Sequence, residues 1–198
     1  MARFGHNATI MHDLVSSFPV APGRIFVCPL SAVPHVVAGC EASHLVTCLP
    51  GEVRVETPVS IKPVNHIRLF IHDIAEPIDG YIAPDTEHVV QLIDFAAAWD
   101  RTGPMVIHCW AGISRSTAAA FIMLCALNPE VPEARIALQL REVSPTAFPN
   151  RLMVRLGDTA LGRDGRMLAA VEAIGRGEIV SEAIPFSLPA DLSELHRS

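Results

Sequence analysis

Apolar residues follow two rhythms along this 198-residue chain. Short, nearly continuous apolar runs bounded by Pro, Gly or Asp alternate with longer stretches whose apolar positions recur with helical spacing, which predicts strands and helices in turn. Arg24–Cys28 reads as a first strand, and the helix-like run from Leu30 to Ala38 is closed by Gly39. His44–Leu49 is a second strand, stopped by Pro50-Gly51. A turn-rich connection through Thr57-Pro58 and Lys62-Pro63 leads to a third strand, His66–His72, which ends at Asp73. After a loop with Pro77, Gly80 and Pro84, Asp85 stands where a helix N-cap is expected. Val89, Leu92, Ile93, Ala96 and Ala97 fall on one face of the helix that follows, to about Asp100, and Met105–His108 is the central strand.

The second half of the chain reads as helical. Ser114–Leu127 is apolar on all sides through Ala118–Leu124, which predicts a buried helix. Pro132 opens another, with Ile136, Leu140 and Val143 inward; Asn150–Leu161 and Arg166–Ile174 are two more, separated by Gly162-Arg163-Asp164-Gly165. From Gly175 the tail, with Pro185 and Pro189, reads as extended over the surface or loose. The expected class is therefore α/β, a single domain with a central, mostly parallel sheet flanked by helices and a helical C-terminal part. Its expected limits are an N-terminal arm over 1–23, the domain over 24–175 and a C-terminal tail over 176–198.

Composition narrows the class. The length suffices for a full core without disulfides or metal, and no apolar run approaches the ~18–20 residues that span a bilayer. The first residues, Met1 to Asp13, have neither the basic cluster nor the apolar stretch of a secretory signal. Five cysteines at irregular spacing suit a reducing cytoplasm, with Cys28, Cys40, Cys48 and Cys125 expected as small core residues. A formal net charge of −6 argues against nucleic acid and against an anionic membrane as partners. His6, His12, His35, His44, His66, His72, His88 and His196 show no ligand spacing, so neither metal nor cofactor is expected.

The chemistry concentrates in Val106-Ile107-His108-Cys109-Trp110-Ala111-Gly112-Ile113-Ser114-Arg115-Ser116-Thr117. A cysteine ends a buried strand, small residues follow, and Arg115 opens the most apolar helix. A helix N-terminus offers unpaired N–H groups and partial positive charge, and the guanidinium adds a planar fork for two phosphate oxygens. A thiol in that field is expected to ionise well below its free pKa of ~8.5 and to act as a nucleophile beneath a phosphate site.

His108-Cys109, with Ala111-Gly112 and Arg115-Ser116, resembles the signature of the cysteine-dependent protein tyrosine and dual-specificity phosphatases. Ser144-Pro145, Pro149-Asn150 and Leu156 resemble that family's helix junction after the active site, so the resemblance runs from about Arg24 to Leu156. It implies hydrolysis of phosphotyrosine, and of phosphoserine/threonine as a second class, through a phosphocysteine in a compact dual-specificity-like domain. It further implies that Cys109 is the nucleophile and Arg115 the phosphate clamp, with the N–H groups of Trp110, Ala111, Gly112, Ile113 and Ser114 binding substrate. Ser116 would donate to the sulfur, and His108 would orient the loop from behind. The family's general acid is an Asp in the loop after the preceding strand. Asp73 stands there, with Asp79, Glu76 and Asp85 as rivals, Asp85 being already explained as a cap.

The expected partners are a phosphorylated protein or small phosphoester, and inorganic phosphate or sulfate fits the same loop. With no basic side chain between Cys109 and Arg115, a phosphoinositide is disfavoured. The alternatives are a catalytically silent phosphate-binding module and rhodanese-like or arsenate chemistry, which loop length and the position of Cys109 disfavour. Some relatives pair the nucleophile with a second thiol under oxidation, a role open to Cys48; a plain core thiol is its other reading.

Overall fold

In the computed structural model, which describes residues 21–196, five strands form one sheet. β1 (Arg24–Pro29), β2 (His44–Leu49), β3 (His66–Phe70) and β4 (Met105–Cys109) run parallel in the order β3-β2-β4-β1, and β5 (Phe186–Pro189) adds to the β1 edge antiparallel. Helices α1 (Val33–Gly39), α2 (Thr86–Ala98), α3 (Arg115–Leu127), α4 (Glu133–Val143), α5 (Arg151–Ala160), α6 (Arg166–Ile174) and α7 (Ser193–His196) complete the described residues. This is the α/β class read from the apolar rhythms. The expected N-terminal arm lies outside the described residues except for its last three positions.

Strand alternation sorts the core into two unequal parts. Ile25 and Val27 of β1, Val46 and Cys48 of β2, and Met105, Ile107 and Cys109 of β4 face one side, packed with Val89, Leu92, Ile136, Leu140 and the whole length of α3. Phe26, Cys28, Leu45 and Val106 face the other, where Val33, Val36 and Val37 of α1 and Ile61 cover them. Burial on both faces explains why these strands read as unbroken apolar runs. From Arg115 to Cys125 every α3 residue is buried, in keeping with its lack of a polar face.

Three local readings change. β3 ends at Phe70 rather than His72, because Ile71 N donates to the Leu49 carbonyl at 3.2 Å and also back to Leu69 at 3.0 Å, which turns the chain out of the ladder. Ala97 is exposed, not inward; α2 ends at Ala98, and Trp99, 3% exposed, fills the inner position with its indole N–H on the Gly103 carbonyl. Beyond Gly175 the chain is not loose. It crosses the outer side of the loop after Cys109, where Ala183 N donates to the Ala111 carbonyl, and returns to the sheet as β5, where Leu188 is fully buried, so the sheet extends past the expected domain edge at 175.

Candidate active site

Cys109 is the last residue of β4, in register with Pro29 of β1, and the loop after it lies against the end of β1. Gly112 permits this approach: its φ is +73°, and a Cβ there would sit 2.8 Å from Pro29 N and 2.9 Å from the Cys28 carbonyl carbon. Backbone donors of the scaffold hold four loop carbonyls outward. Leu30 N donates to Trp110 O (3.1 Å), Ala183 N to Ala111 O (2.9 Å), Phe148 N to Ile113 O (2.9 Å) and Asn150 N to Ser114 O (3.3 Å). A peptide plane sends its N–H opposite to its carbonyl. The N–H groups of Ala111, Gly112, Ser114 and Arg115 therefore turn to the concave side, where α3 begins and adds its own positive end.

Around this cradle the side chains converge. Cys109 is 2% exposed, with its sulfur 3.1 Å from Ser116 Oγ. Arg115 is 5% exposed; one Nη donates to the Ile71 carbonyl at 2.9 Å, and its Nε, buried without a hydrogen-bond partner, lies 4.0 Å from Asp73 Oδ2. Asp73 is tethered by neutral donors: Ser114 Oγ donates to Oδ1 at 2.7 Å and Asn150 Nδ2 to the same oxygen at 2.9 Å. Asn150 also donates to the Ile74 carbonyl at 3.2 Å, and its own Oδ1 caps α5 by accepting from Met153 N at 3.1 Å. One asparagine thus joins the start of α5 to the carboxylate and to the backbone beside it.

Of the rival acids, Asp85 caps α2, accepting from His88 N at 3.0 Å while His88 Nδ1 accepts from Asp85 N at 3.3 Å. Glu76 and Asp79 are exposed in the same connection, and among the described residues only Asp73 of these acids bonds to a loop residue. Three contributors were not read from the sequence: Asn150 as a tether, the Ser114 hydroxyl as more than a backbone position, and the Ile71 carbonyl as the anchor of Arg115. His108 is fully buried, with its pKa lowered to about 4, first by burial and then by Arg115 against the opposing backbone of Cys109.

All five cysteines are free. Burial foremost pushes the Cys28, Cys48 and Cys125 thiols up, which makes them poor nucleophiles. Among the described residues, no group of three or more His, Cys, Asp or Glu side chains could hold a metal ion, and no helix is long and apolar enough to cross a membrane.

The rim is mixed. Trp110 is 55% exposed, and a cavity of about 110 Å³ beside the loop is lined by the apolar Ile113, Phe148, Ile179 and Val180 together with Thr146, Arg176 and Glu178. The crossing segment that supplies this wall fits closely. A Cβ at Gly177 would fall 2.8 Å from the Pro145 carbonyl oxygen, and Ser31 Oγ donates to Glu182 Oε2 at 2.8 Å.

The sequence model of the family described as protein-tyrosine phosphatase matches residues 77–144, a span that holds the loop but neither Asp73 nor Asn150. Among solved structures, the chain is similar to DUSP15, at 16% identity and a TM-score of 0.55 over 79% of this chain and 94% of that one. A second is OH1 from the Orf virus, described as a tyrosine phosphatase with distinct structural features and triple substrate specificity, at 18% identity and a TM-score of 0.42 over 69% and 83% of the two chains. No curated protein sequence matches the chain. The fold is that of the compact dual-specificity phosphatases, and the resemblance read from the loop residues extends to the family model.

Proposed function

We propose that the protein is a cysteine-dependent phosphatase that hydrolyses phosphomonoesters of phosphotyrosine and of phosphoserine/threonine through a phosphocysteine on Cys109. The observation that carries this reading is the carboxylate of Asp73, tethered by Ser114 and Asn150 beside the loop that holds the Cys109 sulfur, Ser116 and Arg115. That set supplies a nucleophile, an anion clamp and a proton donor at one point.

In the first step the Cys109 thiolate attacks phosphorus, the S–P bond forms, the P–O bond breaks, and the leaving oxygen takes the proton of the Asp73 carboxyl. In the second, Asp73, now a carboxylate, takes a proton from water as the water oxygen bonds to phosphorus. The S–P bond breaks and inorganic phosphate leaves. Ser116, 3.1 Å from the sulfur, donates to the thiolate as it departs. The guanidinium fork and the inward N–H groups stabilise the equatorial oxygens in both steps.

The exposed Trp110 and a loop with no basic side chain between Cys109 and Arg115 favour phosphorylated side chains in proteins over polyanionic lipid headgroups. Five unpaired cysteines support a reducing compartment, and we place the protein in the cytoplasm.

A turnover panel of aryl phosphate, phosphotyrosine, phosphoserine and phosphoinositide at mildly acidic pH tests the reading. Phosphotyrosine and phosphoserine peptides should turn over, and acid-quenched enzyme should gain the mass of one phosphoryl group. Phosphate binding without turnover of any ester would make the protein a silent phosphate-binding module instead.

A further inference from the structure

On the thinner face of the sheet a line of polar side chains crosses three strands and ends at the residue before the nucleophile. Thr47 pairs in register with His108 on β4 and with Arg68 on β3, which puts all three on one face, together with His66 beside Leu45. Thr47 Oγ1 lies 2.8 Å from His108 Nε2 and 2.9 Å from His66 Nε2. His66 Nδ1 lies 2.9 Å from Thr57 Oγ1, in the connection before β3. Arg68 terminates the line: one Nη donates to Thr57 Oγ1 at 2.8 Å and to the Val55 carbonyl at 2.9 Å. His108, Thr47 and His66 are 0%, 2% and 6% exposed, so the two hydrogen bonds of Thr47 are buried, while those of Thr57 are half-buried. Burial foremost lowers the pKa of both imidazoles to about 4, so both are neutral near pH 7.

A hydroxyl between two imidazole nitrogens has one proton, so it donates to one ring and accepts from the other. Two directions are open. In the first, Thr57 donates to His66 Nδ1, His66 Nε2–H to Thr47, and Thr47 to His108 Nε2, which leaves the His108 proton on Nδ1. In the second every proton is reversed, the Thr57 oxygen takes two donors, and its own proton has no place in the line.

Arg68 breaks the tie. A guanidinium only donates, and by donating to the Thr57 oxygen it strengthens that hydroxyl as a donor in turn. At the opposite end, His108 Nδ1 is buried without a hydrogen-bond partner, and the Cys109 backbone acts on the ring in the sense that raises its pKa.

We infer that Arg68 and Thr57 set the tautomer of His108 from across the sheet, keeping its proton on Nδ1, and so act as remote positioning residues for the nucleophile. The tautomer assignment does not depend on the protein's activity; its kinetic consequence rests on the proposed phosphatase activity.

The experiment is a long-range nitrogen–proton NMR spectrum of the full chain with isotope-labelled histidine rings, His108 being identified by the signals lost in His108→Asn. Wild type should show His108 as the Nδ1–H tautomer. Thr57→Val, and separately Arg68→Met, should convert part or all of that signal to Nε2–H and lower kcat by roughly 2- to 30-fold. Thr57→Ser should restore both. A wild-type His108 protonated on Nε2 overturns the inference, and this arm needs no variant to fold. A tautomer unmoved in both variants, or moved with kcat unchanged, overturns it as well. An Nδ1–H signal in a protein that turns over no phosphoester leaves the tautomer assignment standing and removes the proposed function.

Discussion

Two arginines, Arg115 buried and Arg163 partly buried, face carboxylates in this protein, and they are arranged in opposite ways. Arg163, in the turn between α5 and α6, is closed onto Glu133 of α4 at 3.2 Å, and the other Glu133 oxygen is met by Arg166 at 3.2 Å. Arg163 also donates to the carbonyls of Cys125 at 3.0 Å and Pro129 at 3.1 Å, which ties the end of α3 to its neighbours. Arg115 and Asp73 are instead held apart, 4.0 Å at their nearest. Neutral donors occupy the Asp73 oxygen, and a backbone carbonyl anchors the guanidinium. A closed pair compensates both charges and leaves little for a third group. On the proposed phosphatase reading, a pair kept from closing would present a cation to an incoming phosphate and a carboxyl to its leaving oxygen, while neither partner is stranded in the core.

The comparison can be broken by substitution, beginning with Cys109, the nucleophile of the proposed mechanism. Cys109→Ser should lower kcat by about 10⁴-fold or more while phosphate still binds, because an alcohol is a far poorer nucleophile than the thiol it replaces. Single-turnover assays and phosphate titration by calorimetry check both halves. Arg115→Lys should cost roughly 10²–10³-fold in kcat/KM, since an ammonium lacks the planar fork; near-normal kinetics would mean that the clamp is not bidentate. Asn150→Ser keeps a cap on α5 but should not reach Asp73. It should leave thermal stability within about 1 kcal/mol of wild type and lower kcat about tenfold. A change in Tm with kcat intact would reduce Asn150 to a cap. Glu133→Ala should act the other way, opening the closed pair and destabilising the fold by about 3 kcal/mol in chemical denaturation with kcat/KM within about twofold.

The parts of this arrangement differ in how legible they are in the sequence. Cys109, Gly112, Arg115 and Ser116 lie on one loop and helix start, so their spacing alone predicts a shared site. The flanking elements are legible because apolar period is a local property: β2 and α6 have the limits read from the pattern. Asp73 meets Ser114 across 41 residues and Asn150 across 77, separations that leave no trace in local spacing. In the sequence Asn150 reads as the start of a helix at the junction resembling the family's; it caps that helix, and its second contact depends on how α5 packs. The polar line through Thr47 joins residues 19 and 61 apart and exists only because β2 lies between β3 and β4. β5 escapes because its four residues carry a single alternation and end in Pro189, which reads as a break unless a sheet edge is already present.

The central claim, that Asp73 is the proton donor held open beside the loop, is tested most directly by a leaving-group series. Rates of wild type, Asp73→Asn and Asp79→Asn are compared on phosphoesters whose leaving oxygens range from strongly acidic phenols to alkyl alcohols. Asp73→Asn should lose roughly 10²–10⁴ in kcat on the most basic leaving groups and progressively less as the oxygen becomes able to depart unprotonated, with Asp79→Asn tracking wild type throughout. An Asp73→Asn deficit that stays constant across the series, or a leaving-group dependence that appears in Asp79→Asn instead, would contradict it.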